Sequence, residues 1–149
     1  HVESFNAVAW HPYHYCLVNM LERYCLFLKK QKARGDVIAE SRGKTEDFEL
    51  KKVYSTLYTK GTRLKSEKFF QQYLTSKEIK IKPKTKNVAG LQLSDLLSHP
   101  LKKYTLFRRN ILHEPDETVH WLKIVGVVMD KLDRREKDGR IEGYGLVFI

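Results

Sequence analysis

A chain of 149 residues with 42% apolar and 31% charged residues has enough material for a core of its own and predicts one domain. This composition excludes a disordered tail, and the absence of any run of eighteen apolar residues excludes a transmembrane helix. The net charge of +10 is uneven: residues 51–110 hold 15 basic against 3 acidic groups, a local balance of +12, whereas residues 1–50 hold 7 of each and residues 111–149 hold 6 and 8. A basic block of this kind points to a polyanion, most often nucleic acid, and its plainer reading is a solvated lysine-rich face.

The opening segment HVESFNAVAWHPYHYC has no basic n-region and no apolar h-region, so it does not read as a signal peptide. The chain starts at His1 and reads as a piece of a longer one. Leu17, Met20, Leu21, Tyr24 and Leu28 recur at helical spacing and predict a helix over residues 13–33. Lys29, Lys30, Lys32 and Arg34 suit its negative end, and Gly35 fits the C′ position. Cys16 and Cys25 in that helix lie about 13 Å apart along its axis, too far for a disulfide. A reduced, cytoplasmic protein is the expectation.

Val37, Ile38 and Ala39 form a short apolar run that predicts a strand over residues 36–41, buried on both faces. Glu40 closes it, at the end where open α/β sheets place their ligands. Gly43 turns the chain, and Thr45 caps a second helix with Glu46, Asp47 and Glu49 in its first turn. Its core stripe is Leu50, Val53, Tyr54, Leu57 and Tyr58, and Gly61 ends it. Ser66 caps a short third helix carrying Phe69, Phe70, Tyr73 and Leu74. In residues 78–83, Ile79 and Ile81 alternate with Glu78, Lys80 and Lys82, the pattern of a half-exposed strand that Pro83 stops.

Asn87 caps the next helix, where Val88, Ala89, Leu91, Leu93, Leu96 and Leu97 are apolar almost all round and predict burial. Gln92 and Asp95 are its polar exceptions. Residues 99–115 read as irregular, with Pro100 and Pro115 as breakers. Asp116 caps a last helix running to about residue 137 on the stripe Val119, Leu122, Val125, Met129 and Leu132, ended by Gly139. The tail IEGYGLVFI is β-prone. Two strands and a third in the tail fall short of the about five or six of a typical sheet. The simplest explanation is that upstream strands are missing from the chain. The alternatives are a strand within residues 2–10 and a second copy or other partner that completes the sheet.

The constellation that could carry chemistry is Glu40, Asp47 and Asp95. A carboxylate on a buried element must be paired, metal-bound or turned to a wet cleft. Glu40 and Asp95, meeting at one sheet end, would hold Mg²⁺ or Mn²⁺ together with substrate phosphate oxygens, and paired ions would activate water for phosphodiester hydrolysis. The blander readings are a Glu40–Arg42 pair, Asp47 as a first-turn acid that suits the helix dipole, and Asp95 as a polar residue bonded to backbone. Arg42, Lys44, Lys82, Lys84 and Lys86 are the cations placed to contact phosphate, and Gln92 would orient water or Asp95. The histidines His11, His14, His99, His113 and His120 lack zinc-site spacing, and there is no glycine-rich phosphate loop and no G-x-S-x-G elbow. Tyr54, Tyr58, Phe69, Phe70 and Tyr73 sit among basic residues at helical spacing, which reads as core before it reads as a stacking platform.

Two stretches, AESRGKTED at residues 39–47 and NVAGLQLSDLLSHPL at residues 87–101, resemble a bacterial family known as domain of unknown function 3800. The resemblance is carried by Glu40, Ser41, Arg42 and Asp47, then by Asn87, Gly90, Leu91, Gln92, Asp95, Leu96 and Pro100, with Ser94 where the family usually has alanine. The segment 13–28 and the glycine-containing tail are similar too, so the likeness spans nearly all of the chain as one domain, residues 1–149. It implies a ribonuclease H-like α/β fold without its N-terminal strands, mostly helical in this chain with two or three strands. It also implies a metal-dependent nuclease-type site to which Glu40 and Asp95 contribute, with Asp47 beside them. An upstream strand bearing Asp-Glu-Ser is part of that pattern, and the nearest match, Glu3-Ser4, has no aspartate before it. The resulting expectation is metal-dependent hydrolysis of nucleic acid by the complete protein. The alternatives are a non-catalytic module that binds nucleic acid or protein, and a tail, residues 144–149, that adds a strand to a partner.

Overall fold

In the computed structural model, which describes residues 12–112 and 120–146, the chain is mixed α/β and mostly helical. The described residues form five α-helices and a two-stranded parallel sheet, and the chain divides into two units between Lys84 and Thr85.

The first unit contains α1 (Pro12–Lys30), β1 (Ile38–Glu40), α2 (Lys44–Lys60), α3 (Glu67–Tyr73) and β2 (Lys80–Lys82). β1 and β2 pair in parallel, with Ile38 opposite Lys80, Ala39 opposite Ile81 and Glu40 opposite Lys82. Parallel neighbours need a long crossover, and α2 and α3 supply it. The helices close one core from Leu17, Leu21 and Cys25 of α1, Leu50, Tyr54 and Leu57 of α2, and Phe70, Leu74 and Ile79. The buried Tyr54 hydroxyl donates to the Ser76 carbonyl at 2.8 Å, so its burial leaves no polar group unsatisfied. Tyr58, Phe69 and Tyr73 pack against the same core, so the aromatic residues singled out above are core residues. Cys16 and Cys25 are both free thiols.

Three local expectations for this unit are corrected. The left-handed residue that ends α1 is Lys32 (φ 51°), not Gly35. Its N–H donates to the Lys29 carbonyl at 3.1 Å and the Ala33 N–H to the Leu28 carbonyl at 2.9 Å, the two bonds of a Schellman ending. Gly35 is needed for space instead, because a Cβ there would fall 2.0 Å from the Tyr24 hydroxyl. The N-cap of α2 is Gly43 rather than Thr45, which is already inside the helix. The strand at residues 36–41 is not buried on both faces: Ala39 and Ile81 face the core, whereas Ile38 is 40% exposed beside exposed Lys80 and Lys82. A three-residue apolar run has no period from which one-sided and two-sided burial can be told apart.

In the second unit α4 (Ala89–Arg108) packs against α5 (His120–Met129). α4 starts after Val88, while Asn87 (φ 45°) accepts a hydrogen bond from Gln92 Nε2 at 3.2 Å. The helix runs on through Pro100 to Arg108, so residues 99–108 are helical rather than irregular. The Pro100 ring removes one N–H from the ladder, but it is buried, and packing outweighs the lost bond. The expectation of a helix buried all round fails, because Leu93 is 55% and Leu96 62% exposed. α5 stops at Met129, short of residue 137. Arg134 Nη2 satisfies the Met129 carbonyl at 2.8 Å and the Lys131 N–H closes on Val128 at 2.8 Å. Trp121 and Val125 are its buried apolar residues, and Ile141, after the helix, is buried too. Residues 142–146 form a tight turn rather than a strand, with Gly143 (φ 78°) donating to the Leu146 carbonyl at 2.7 Å.

No helix among the described residues is long and apolar enough to cross a membrane. The expectations placed on residues 2–10, Glu3, Ser4, His11, His113, Pro115, Asp116, Val119 and residues 147–149 lie outside the described residues.

Candidate nucleic-acid interface

The carboxyl ends of β1 and β2 gather most of the residues that the sequence singles out in the first unit. Glu40 closes β1 half-buried, in register with Lys82. The Ser41 N–H donates to the Lys82 carbonyl at 2.9 Å and extends the ladder one step past the strand. Arg42 lies on the turn into α2 and Lys44 opens that helix, while Lys82 ends β2 and Lys84 follows it. All four are exposed. Alternation along the strands puts Lys80 and Lys82 on the face that the core does not cover, with Glu40 beside them. Lys80 is partly neutralised there by an ion pair with Asp36, which also accepts from the Thr75 hydroxyl. Those contacts hold the Asp36 carboxyl below the usual carboxylate range, with the Lys80 bond the largest cause.

Asp47 is committed to the turn itself. Its carboxylate accepts from the Ser41 hydroxyl at 2.5 Å and from the Arg42 N–H at 3.0 Å. The Ser41 bond, then the Arg42 amide, with Lys51 nearby, hold its carboxyl below the ordinary value. Through these bonds Asp47 ties the Ser41-Arg42 turn to the first turn of α2.

Asp95 and Gln92 lie on α4 in the second unit and are both exposed. Gln92 spends its amide N–H on Asn87, as described above, and the Asp95 backbone carbonyl accepts from the Ser98 hydroxyl at 2.9 Å. Glu40 and Asp95 thus belong to different units. Lys86, at the end of a short 3-10 turn at Lys84–Lys86, is exposed as well. Among the described residues no three His, Cys, Asp or Glu side chains come together as a metal-holding group. Glu40 and Asp47 are the two candidate carboxylates at the carboxyl edge of the sheet.

The sequence reading passes over Phe48. It lies in the first turns of α2 and is 64% exposed, in the same stretch as Lys44, Lys51 and Lys52. Its signal was available: at about 100° per residue, position 48 points away from the Leu50, Tyr54 and Leu57 stripe.

No protein-family model, curated protein or solved structure matches the chain.

Proposed function

We propose that this chain is part of a nucleic-acid-handling protein that holds the phosphate backbone at the carboxyl edge of its parallel sheet. The observation that carries this reading is the convergence of Arg42, Lys44, Lys82 and Lys84 at that edge, inside the sequence block of local charge +12. Cations that replace the counterions of phosphates bind with an affinity that falls steeply with salt. The β1–α2–α3–β2 crossover with an acid closing its first strand also supports the ribonuclease H-like fold that the two motifs imply. In that fuller reading the complete protein hydrolyses phosphodiesters with Mg²⁺ or Mn²⁺, and Glu40 is one ligand. The ion would supply Lewis acidity and an activated water, while the chain's own cations hold and orient the strand.

The second reading, a binding module without catalysis, is favoured by the engagement of Asp47 in the turn. One experiment separates the two. A labelled RNA or DNA strand is incubated with the protein in Mn²⁺, in Mg²⁺ and in chelator, beside Glu40→Gln. Metal-dependent cleavage that Glu40→Gln abolishes supports the enzyme. Salt-sensitive retention of an intact strand in chelator, unaltered by Glu40→Gln, supports the module. No binding at low salt contradicts both.

A further inference from the structure

We infer that Phe48, ringed by Lys44, Lys51 and Lys52 on the solvent face of α2, is a stacking platform for the bases of a single-stranded nucleic acid. This rests on the nucleic-acid reading above and narrows it to one form of strand and one contact.

Phe48 is the most exposed aromatic residue among those described, at 64%. A phenyl ring placed in water on a well-formed helix gains nothing for the fold, because the core of α2 is on the opposite side at Leu50, Tyr54 and Leu57. With about 100° between successive residues, Lys44, Lys51 and Lys52 fall within about 60° of Phe48, as do Thr45, Ser55 and Thr59. All of these are exposed, and no acidic residue of the helix falls in that sector. Glu46, Asp47 and Glu49 lie roughly 100° or more away. Lys51 sits one turn past Asp47 and close enough to act on its carboxylate. An aromatic face flanked by ammonium groups matches a single strand, whose bases are open to stack while its phosphates reach the lysines. A duplex keeps its bases stacked on one another and offers the ring nothing. The patch also begins where the cations of the sheet edge end, since Arg42 leads through Gly43 into Lys44.

The test is fluorescence anisotropy with two labelled probes of equal length, an oligothymidylate and an abasic deoxyribose-phosphate strand, on the full chain. Phe48→Ala is expected to weaken the oligothymidylate by about 5- to 150-fold and to leave the abasic strand unchanged. Phe48→Trp is expected to bind as the parent does. Circular dichroism checks that both variants fold, as a change on the solvent face should allow. Equal affinity of Phe48→Ala and parent for oligothymidylate overturns the inference, and so does an equal loss on both probes. A concentration-dependent dimer in sedimentation that Phe48→Ala abolishes also overturns it, by assigning the ring to a second copy of the chain. If the parent binds neither probe at low salt, the nucleic-acid reading itself falls.

Discussion

The two units handle their apolar residues differently. In the first, the stripes of α1 and α2 converge with Phe70, Leu74 and Ile79 on one core, although Met20, Phe48 and Leu64 stay exposed. In the second, α4 buries Pro100 while Leu93 and Leu96 stay exposed, as do Ile111 and Val127. The first unit therefore holds the larger core among the described residues and presents cations at its sheet edge. The second presents apolar surface, in the stretch that contains Gln92 and Asp95. Leu93 and Leu96, three apart on the helix, share one exposed apolar face. A likeness of sequence motifs thus joins two regions in different physical states, one set around a closed core and the other on an open helix face.

This contrast is open to direct attack. Phe70→Ala should cost about 3–5 kcal/mol in urea unfolding, because the ring is fully buried among α1, α2 and the β2 approach. A cost below about 1 kcal/mol would mean that the first unit is no better packed than the second. Gly61→Ala should cost about 1–3 kcal/mol, since position 61 has φ 74° and a Cβ there would fall 2.4 Å from the Lys65 carbonyl oxygen. Cys25, buried and with its thiol pushed up to about 12 by desolvation, should resist a thiol reagent at pH 8 until the chain unfolds, while the half-buried Cys16 reacts in the native state. Asp47 has a lowered folded pKa, so its contribution is present above the ordinary aspartate value near pH 3.8 and is lost as pH falls through the lower folded value. Asp47→Asn should accordingly lose stability at neutral pH and narrow its gap from the parent on acidification across that window, as thermal melts at stepped pH would record. Leu96→Ala should move stability by no more than about 0.5 kcal/mol, and a larger loss would show that the open face of α4 is covered in solution.

Much of the first unit was legible in the sequence because its signals are periodic. Leu17, Leu21 and Leu28 on α1 and Leu50, Tyr54 and Leu57 on α2 announce their faces, and the Ile79/Ile81 alternation gives the half-exposed strand its inner side. What periodicity does not encode was misread. The end of α1 depends on a lysine adopting the left-handed conformation, which residue type alone disfavours. The run through Pro100 depends on tertiary burial of the ring, and burial overrides a local breaker. The open face of α4 depends on what packs against it, a fact held outside the helix. In the candidate site, the position of Glu40 at the strand end and the cations beside it follow from chain order. The engagement of Asp47 by Ser41 and Arg42 does not, since a first-turn acid reads the same whether it faces solvent or folds back on its own turn. Phe48 was passed over because attention to apolar residues goes to stripes, and it is the residue that leaves the stripe.

The most direct measurement is the affinity of the chain for a single-stranded oligonucleotide across a salt series, for the parent and for Lys82→Ala and Lys84→Ala. If phosphate is held at the carboxyl edge of the sheet, the logarithm of the binding constant falls linearly with the logarithm of salt concentration, and each substitution makes that slope shallower by about 0.7. A binding constant that salt does not move, or one whose slope both lysine variants leave as it was, would contradict the account.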